Sequence, residues 1–131
     1  MKKKEFCVLG IMSGTSIDGL DFSLIRSDGI KNIKIIKNKY YKFSKKIRNE
    51  ISDLINFFCL EKKFFRNEKY YKTELNFINF VVKKISIFLS ELSDVEKKID
   101  LVGFHGNTII HNPKKNISIQ LGDPKMLAKK I

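Results

Sequence analysis

The spacing of apolar residues changes period twice along this 131-residue chain, and that double change restricts the fold more than any other feature. From Phe6 to about Tyr41 the pattern suits strands. EFCVLGIM and LDFSLIRS are followed by a turn at Asp28-Gly29 and then by IKNIKIIKNKYYKF, where Ile33 and Ile35 alternate with lysines at the strand period of about two. Three consecutive strands joined by tight turns make an antiparallel meander. Ser44 is then placed to cap a helix in which Ile47, Ile51, Leu54, Ile55 and Phe58 recur at three-and-four spacing. A second, longer helix is expected from about Asn67 to Leu92, with Tyr71, Leu75, Ile78, Val82, Ile85 and Leu89 along its buried face. After SDVEKK the pattern returns to strand. IDLVGFHG is a continuous apolar run, as in a strand covered on both faces, and it ends in His-Gly at the carboxyl end, where open α/β sheets hold ligands. NTIIHN and ISIQLG should form a small hairpin around Pro113-Lys114-Lys115-Asn116, and Asp123 and Pro124 supply the N-cap and first position of a last helix. The expected fold class is α/β, with a three-stranded meander followed by helices and a further strand.

Length and composition narrow the classes. A chain of this size with 43% hydrophobic residues can bury one compact core. A net charge of +12 would suit a nucleic-acid or anionic-membrane partner if it were clustered, but the lysines run from Lys2 to Lys130, mostly in pairs, as on solvated faces. No nucleic-acid and no membrane partner is expected. Cys7 and Cys59 both sit in apolar stretches, FCVL and NFFCL, and are expected in the core, in keeping with a reducing, cytoplasmic compartment. The opening MKKKEFCVLGIM imitates a secretory leader, but Glu5 interrupts it and it runs into Ser-Gly-Thr-Ser, so it is a first strand. No apolar stretch is long enough to span a bilayer.

The chemistry concentrates in the first turn, LGIMSGTSIDGLDFSLI. Gly14 and Gly19 match the G-x-x-x-x-G spacing of a phosphate loop, but Leu20-Asp21 stands where that motif needs Lys and Ser/Thr, and a strand follows rather than a helix. A turn between antiparallel strands can still cradle phosphate, because glycines let backbone N–H groups approach and Ser13, Thr15 and Ser16 add hydroxyls. Asp18 and Asp21 fit such a site if Mg²⁺ bridges carboxylate to phosphate oxygens. The plainer alternative is a hairpin loop whose Asp and Ser satisfy their own backbone. A nucleophilic serine with His105 or His111 as base has no G-x-S-x-G elbow to support it.

GIMSGTSIDGLD at Gly10 to Asp21, GFHGNTIIHNP at Gly103 to Pro113 and IQLGDPKMLAKK at Ile119 to Lys130 together resemble the N-terminal part of the anhydro-N-acetylmuramic acid kinase family, in order and approximate spacing. The resemblance implies an actin-like/hexokinase-like (ribonuclease H-like) ATPase lobe. It implies an ATP-dependent kinase that opens 1,6-anhydro-N-acetylmuramic acid with water and phosphorylates it to N-acetylmuramic acid 6-phosphate, in peptidoglycan recycling. Carried over residue by residue, the ATP-binding motif falls on Gly14, Thr15, Ser16, Ile17, Asp18, Gly19, Leu20 and Asp21, with Asp18 and Asp21 facing Mg²⁺. His105, Gly106, Asn107 and Thr108 match a sugar-side His-Gly-Gln-Thr pattern, Asn107 replacing Gln with a side chain one methylene shorter. His111 is expected to be structural. The family's water-activating aspartate has no matched position here and is expected beyond Ile131. Residues 1–131 are accordingly expected to be the N-terminal lobe of a two-lobe sugar kinase, with a separately encoded second lobe or a homodimer as partners to consider. A stand-alone nucleotide- or sugar-binding module without turnover is the first alternative, and a basic nucleic-acid-binding domain, which would bind DNA or RNA with a steep salt dependence, is the second.

Overall fold

The structure, a computed structural model, describes residues 4–131. Strands β1 (Phe6–Ser13), β2 (Gly19–Ser27) and β3 (Ile33–Lys42) form the expected antiparallel meander. Helices α1 (Lys45–Glu61) and α2 (Glu68–Ser90) follow, and β4 (Leu101–Phe104) returns parallel to β1, giving the sheet order β3-β2-β1-β4. A hairpin of β5 (Asn107–Asn112) and β6 (Ile117–Leu121) and a short α3 (Pro124–Ala128) complete the described residues. The helix starts expected from the sequence hold. Ser44 accepts from the Ile47 amide, Asn67 from Tyr70 and Asp123 from Lys125, each meeting a backbone donor that the helix leaves without an internal partner.

One face of the sheet carries the core. Leu9, Ile11, Leu20, Phe22 and Leu24 are buried against α1 and α2, while their alternates along the strands face away. Aromatic rings join the layers: Phe22 lies 5.5 Å from Phe88 of α2 and 5.0 Å from Tyr41 of β3, and Phe104 of β4 stacks on Phe77 of α2 at 6.2 Å.

Four sequence expectations change. The buried face of α2 is rotated from the anticipated stripe: Tyr70, Phe77, Val81 and Phe88 join Ile78 and Ile85 inside, while Tyr71 and Leu75 are exposed. The larger aromatic rings bury more surface from this neighbouring stripe, and they decide the rotation. Cys59 is exposed, because it follows buried Phe58 on α1 and one helical step turns it about 100° off the core stripe. Only Cys7 is in the core. Strand β4 is not covered on both faces: it pairs only with β1 among the described residues, Leu101 and Val102 are exposed, and Phe104 alone packs on α2. Ile33 and Ile35 are exposed because the pairing of β3 slips at the Leu24/Ile25 step, where Leu24 faces Lys37 and Ile25 faces Ile35. Ile36, skipped by that bulge, packs on the core instead.

Two groups yield measurable consequences. The Tyr41 hydroxyl is buried without a hydrogen-bond partner. Tyr41→Phe is therefore expected to leave stability unchanged or to raise it by up to about 1 kcal/mol in urea unfolding, since no protein hydrogen bond is lost. At the β2–β3 turn, the Asp28 carboxylate accepts from the amides of Asn32, Ile30 and Lys31, Asn32 first among the causes, which brings its pKa from 3.8 to about 2. A depressed carboxylate pKa stabilises the fold above the unfolded value, and the contribution disappears as pH falls from 3.8 through about 2. An NMR titration should place the Asp28 midpoint near about 2, and Asp28→Asn should remove that part of the acid-side loss of stability.

Candidate functional site

The first turn is held from both ends. Ser13 pairs with Leu20 where β1 and β2 meet, the Ile17 amide donates to the Gly14 carbonyl at 3.3 Å, and the Phe43 amide donates to the Asp18 carbonyl at 2.8 Å. This geometry places Ile17 at φ 53°, a left-handed conformation that a β-branched residue adopts only under strain. Gly19 is required where it stands, because a Cβ would run into the Tyr41 carbonyl and come within 2.7 Å of the Tyr40 ring. Gly14 is different: a Cβ there would meet only Ser16 Oγ, at an ordinary 3.5 Å.

Asp18 is exposed, and the Ser16 hydroxyl donates to its Oδ1 at 2.7 Å. That bond, helped by the amides of Asp18 and Gly19 and by the charge of Arg48, holds the carboxyl below its ordinary pKa against some desolvation. The group is thus ionised at neutral pH. Asp21 is also exposed, and both carboxylates border Tyr40, whose phenol pKa is raised by burial first and then by Asp18 and Asp21. No set of three or more His, Cys, Asp or Glu side chains converges on a metal position among the described residues. A cation at Asp18 and Asp21 would take its remaining ligands from phosphate oxygens and water, as Mg²⁺ does in nucleotide sites.

The second motif lies against the first. Because β4 runs parallel beside β1, the His105 amide donates to the Ile11 carbonyl at 3.2 Å. The chain turns at Gly106, whose φ of 74° and contact with the Leu121 carbonyl exclude a Cβ. Asn107 then enters the interior, fully buried, and Ser13 Oγ donates to its Oδ1 at 2.6 Å. Asn107 Nδ2 donates to the Thr108 carbonyl at 3.1 Å, and Thr108 Oγ1 accepts from Gln120 Nε2 at 3.2 Å. Ser13, expected among the hydroxyls of the loop, thus points inward to Asn107, while Thr15 and Ser16 are exposed. The exposed His105 lines two concavities: one of about 580 Å³ shared with Met12 and Asp21, and one of about 790 Å³ shared with Gln120 and Glu74. His111 stands on the outer side of the hairpin, its Nδ1 3.4 Å from Ser118 Oγ.

Sequence reasoning missed Glu74. It is 7% exposed, and its Oε1 accepts from the Tyr70 hydroxyl at 3.1 Å and from the Gly122 amide at 3.2 Å, which ties α2 to the third motif. The available signal was a Tyr-x-x-x-Glu pair at i, i+4, hidden by a stripe centred on Tyr71 and Leu75.

The meander, the parallel return strand and a glycine-hydroxyl-carboxylate turn at the sheet edge define a piece of an actin-like ATPase. The anhydro-N-acetylmuramic acid kinase family description matches residues 6–131, and the chain belongs to that family. It is 39% identical to an anhydro-N-acetylmuramic acid kinase of Pelagibacter ubique over 131 residues, covering 96% of this chain and 33% of that protein. The kinase of the same name from Bradyrhizobium diazoefficiens is 33% identical, covering 94% of this chain and 34% of that protein. The one from Methylorubrum populi is 32% identical, covering 94% and 36%. The chain spans about a third of the length of these curated relatives.

The buried Ser13–Asn107 pair has a testable weight. Ser13→Ala leaves Asn107 Oδ1 buried without its donor, and is expected to lower unfolding free energy by about 1–3 kcal/mol in urea. A change below about 0.5 kcal/mol, the scale of an ordinary surface substitution, would mean that the bond does not hold the two motifs.

Proposed function

We propose that this chain provides the nucleotide-phosphate loop and part of the sugar side of an ATP-dependent kinase. The reaction opens the anhydro ring of 1,6-anhydro-N-acetylmuramic acid with water and phosphorylates the sugar to N-acetylmuramic acid 6-phosphate, a step of cytoplasmic peptidoglycan recycling. The observation that carries this reading is the buried hydrogen bond of 2.6 Å between Ser13 and Asn107, which fixes the glycine turn beside the His-Gly-Asn-Thr loop. Phosphoryl transfer asks a protein mainly to position donor and acceptor and to neutralise charge, so two recognition loops locked together are what the chemistry needs.

In this reading, residues Gly14 to Asp21 hold the phosphates of ATP. The open side of Gly14 admits a phosphate to the backbone amides, and the exposed hydroxyls of Thr15 and Ser16 are available to it. Ionised Asp18, with Asp21 beside the same tyrosine, holds Mg²⁺, which when bound neutralises phosphate charge. Ile17, Gly19 and Leu20 shape the turn: Leu20 is buried in the core and Gly19 passes under Tyr40. On the sugar side, His105, Gly106 and Thr108 border the acceptor. Asn107 is a positioning residue, since its amide is spent on Ser13 and Thr108. The base that activates water and the second lobe belong to the two thirds of the relatives' length that this chain does not span. Those parts come from a longer product, a separately encoded lobe or a dimer partner.

Calorimetric titration with Mg-ATP tests the phosphate loop directly. The wild-type chain should bind, and Asp18→Ala should weaken binding by about tenfold or more, the effect of losing a charge-assisted contact. In a protein carrying this chain together with the remaining length of a relative, Asp18→Ala should abolish formation of the 6-phosphate. Wild-type affinity and turnover in that variant would remove Asp18 from the nucleotide site.

A further inference from the structure

Two glycines sit side by side in the sheet where nothing in this chain requires a glycine. Gly10 of β1 pairs with Gly103 of β4, each inside a strand, and neither has a positive φ. A Cβ at Gly10 would meet only the Ser23 carbonyl, at an ordinary 3.7 Å, and one at Gly103 would meet nothing within 4 Å. A glycine inside a strand weakens it, and one with open space above it marks a close approach by another backbone or a ligand. The reason for this pair therefore lies outside the described residues.

The face that carries the pair is the one turned away from α1 and α2, and it is apolar. Residues in register on neighbouring strands share a face, so Gly103, Gly10, Ser23 and Asn38 form one row across the sheet. The next row on one side is Leu101, Val8, Ile25 and Ile35, with Leu101 56% and Ile35 61% exposed. On the other side stand Met12, 55% exposed, Asp21 and Tyr40, and Asp21 is the only charge in the three rows. The glycine row floors the concavity of about 580 Å³ that ends at His105. It offers a small polar molecule little to recognise, because the Ser23 hydroxyl is already bonded to Asn38 Oδ1 at 2.8 Å and β1 spends its backbone groups on a strand at either side.

A second copy of the chain is disfavoured as the occupant, since two chains of net charge +12 repel each other. Sheets with parallel strand pairs bury both faces, usually under helices, and this one has helices on a single face. The chain spans about a third of the length of its curated relatives, which leaves two thirds to supply the missing layer. We propose that the outer face of the sheet is an interaction surface for an amphipathic helix from that remaining length, with its closest approach over Gly10 and Gly103. The glycines let the helix backbone come down onto the strands, and Val8, Ile25, Ile35, Leu101 and Met12 pack around it. The inference does not depend on the nucleotide reading, and a chain that fails to bind Mg-ATP leaves it standing.

Gly103→Val should have opposite effects in the two settings. In the 131-residue chain its side chain enters open space and β-branched residues favour strands, so the urea midpoint should equal or exceed that of wild type. In a protein carrying this chain together with the remaining length of the Pelagibacter relative, the same side chain meets the helix, and the midpoint should fall. Leu101→Cys, made in a Cys59→Ser background, should react with a maleimide about tenfold or more slowly in the joined protein than in the chain alone. Loss of stability by Gly103→Val in the chain alone places the cause within the chain and overturns the proposal. So does a joined protein that tolerates Gly103→Val, or equal labelling of Leu101→Cys in both settings. Dimerisation of the chain alone in sedimentation, abolished by Gly103→Val, would give the face to a second copy, and loss of Mg-ATP affinity in that variant would give it to the nucleotide; either result overturns the helix. If the joined protein does not fold, the remainder of the relative is added in trans, and unchanged labelling of Leu101→Cys then overturns the proposal.

Discussion

The side-chain hydrogen bond from Ser13 to Asn107 joins residues 94 positions apart in a place where neither side chain reaches water. Its importance follows from what converges there. Ser13 is the last residue of β1 and the start of the glycine turn, and Asn107 is the first residue of β5, just past the His-Gly step. Backbone pairing between β1 and β4 stops at Ile11 and Phe104, with the His105 amide reaching back to Ile11. Beyond that point the sheet no longer sets the distance between the two loops, and the Ser13–Asn107 bond does. In a dry interior such a bond resists rearrangement, because breaking it strands two polar atoms with no water to replace the partner.

Behind this junction stands α2, which holds the end of β4 and the turn into α3. Phe77 stacks on Phe104, immediately before His105, and Glu74 holds the Gly122 amide one helical turn earlier. Gly122 has φ 116°, and a Cβ there would meet the Phe104 ring at 2.8 Å and the Phe77 ring at 3.1 Å. The helix, the end of β4 and the turn into α3 therefore pack as one unit. A change in any one of them moves the rim of the larger concavity.

The order of elements, the meander, the hairpin and the helix caps Ser44 and Asp123 were legible in the sequence, because each depends on local spacing or on a residue whose side chain completes its own backbone; for α2 only the approximate start was, and not the capping role of Asn67. The rotation of α2 was not, since two adjacent stripes both read as apolar and the choice rests on which rings fill the space over Phe22 and Phe104. Cys59 was misplaced for a similar reason: NFFCL is apolar throughout, and only the phase fixed by Ile51 and Leu54 shows that Phe58 rather than Cys59 turns inward. In the candidate site, the two motifs were visible as separate loops. Their contact was not, because a serine within a glycine-rich turn gives no sign that it faces inward toward an asparagine so far along the chain.

The distribution of charge also acquires a structural meaning. Strand β3 is one edge of the sheet, and Lys34, Lys37, Lys39 and Lys42 run along it. Lysines on an edge discourage pairing with another chain, and here Lys37 and Lys39 also reach Glu91, at 2.7 and 3.4 Å, fastening the strand to the end of α2. Part of the net charge of +12 is thus explained by an edge that is kept single and pinned to a helix. The opposite edge, β4, reads Leu-Val-Gly-Phe and carries no charge, and it is this strand whose end delivers His105 to the junction. The asymmetry separates two tasks within one sheet: the charged edge closes the fold, and the uncharged one positions the chemistry.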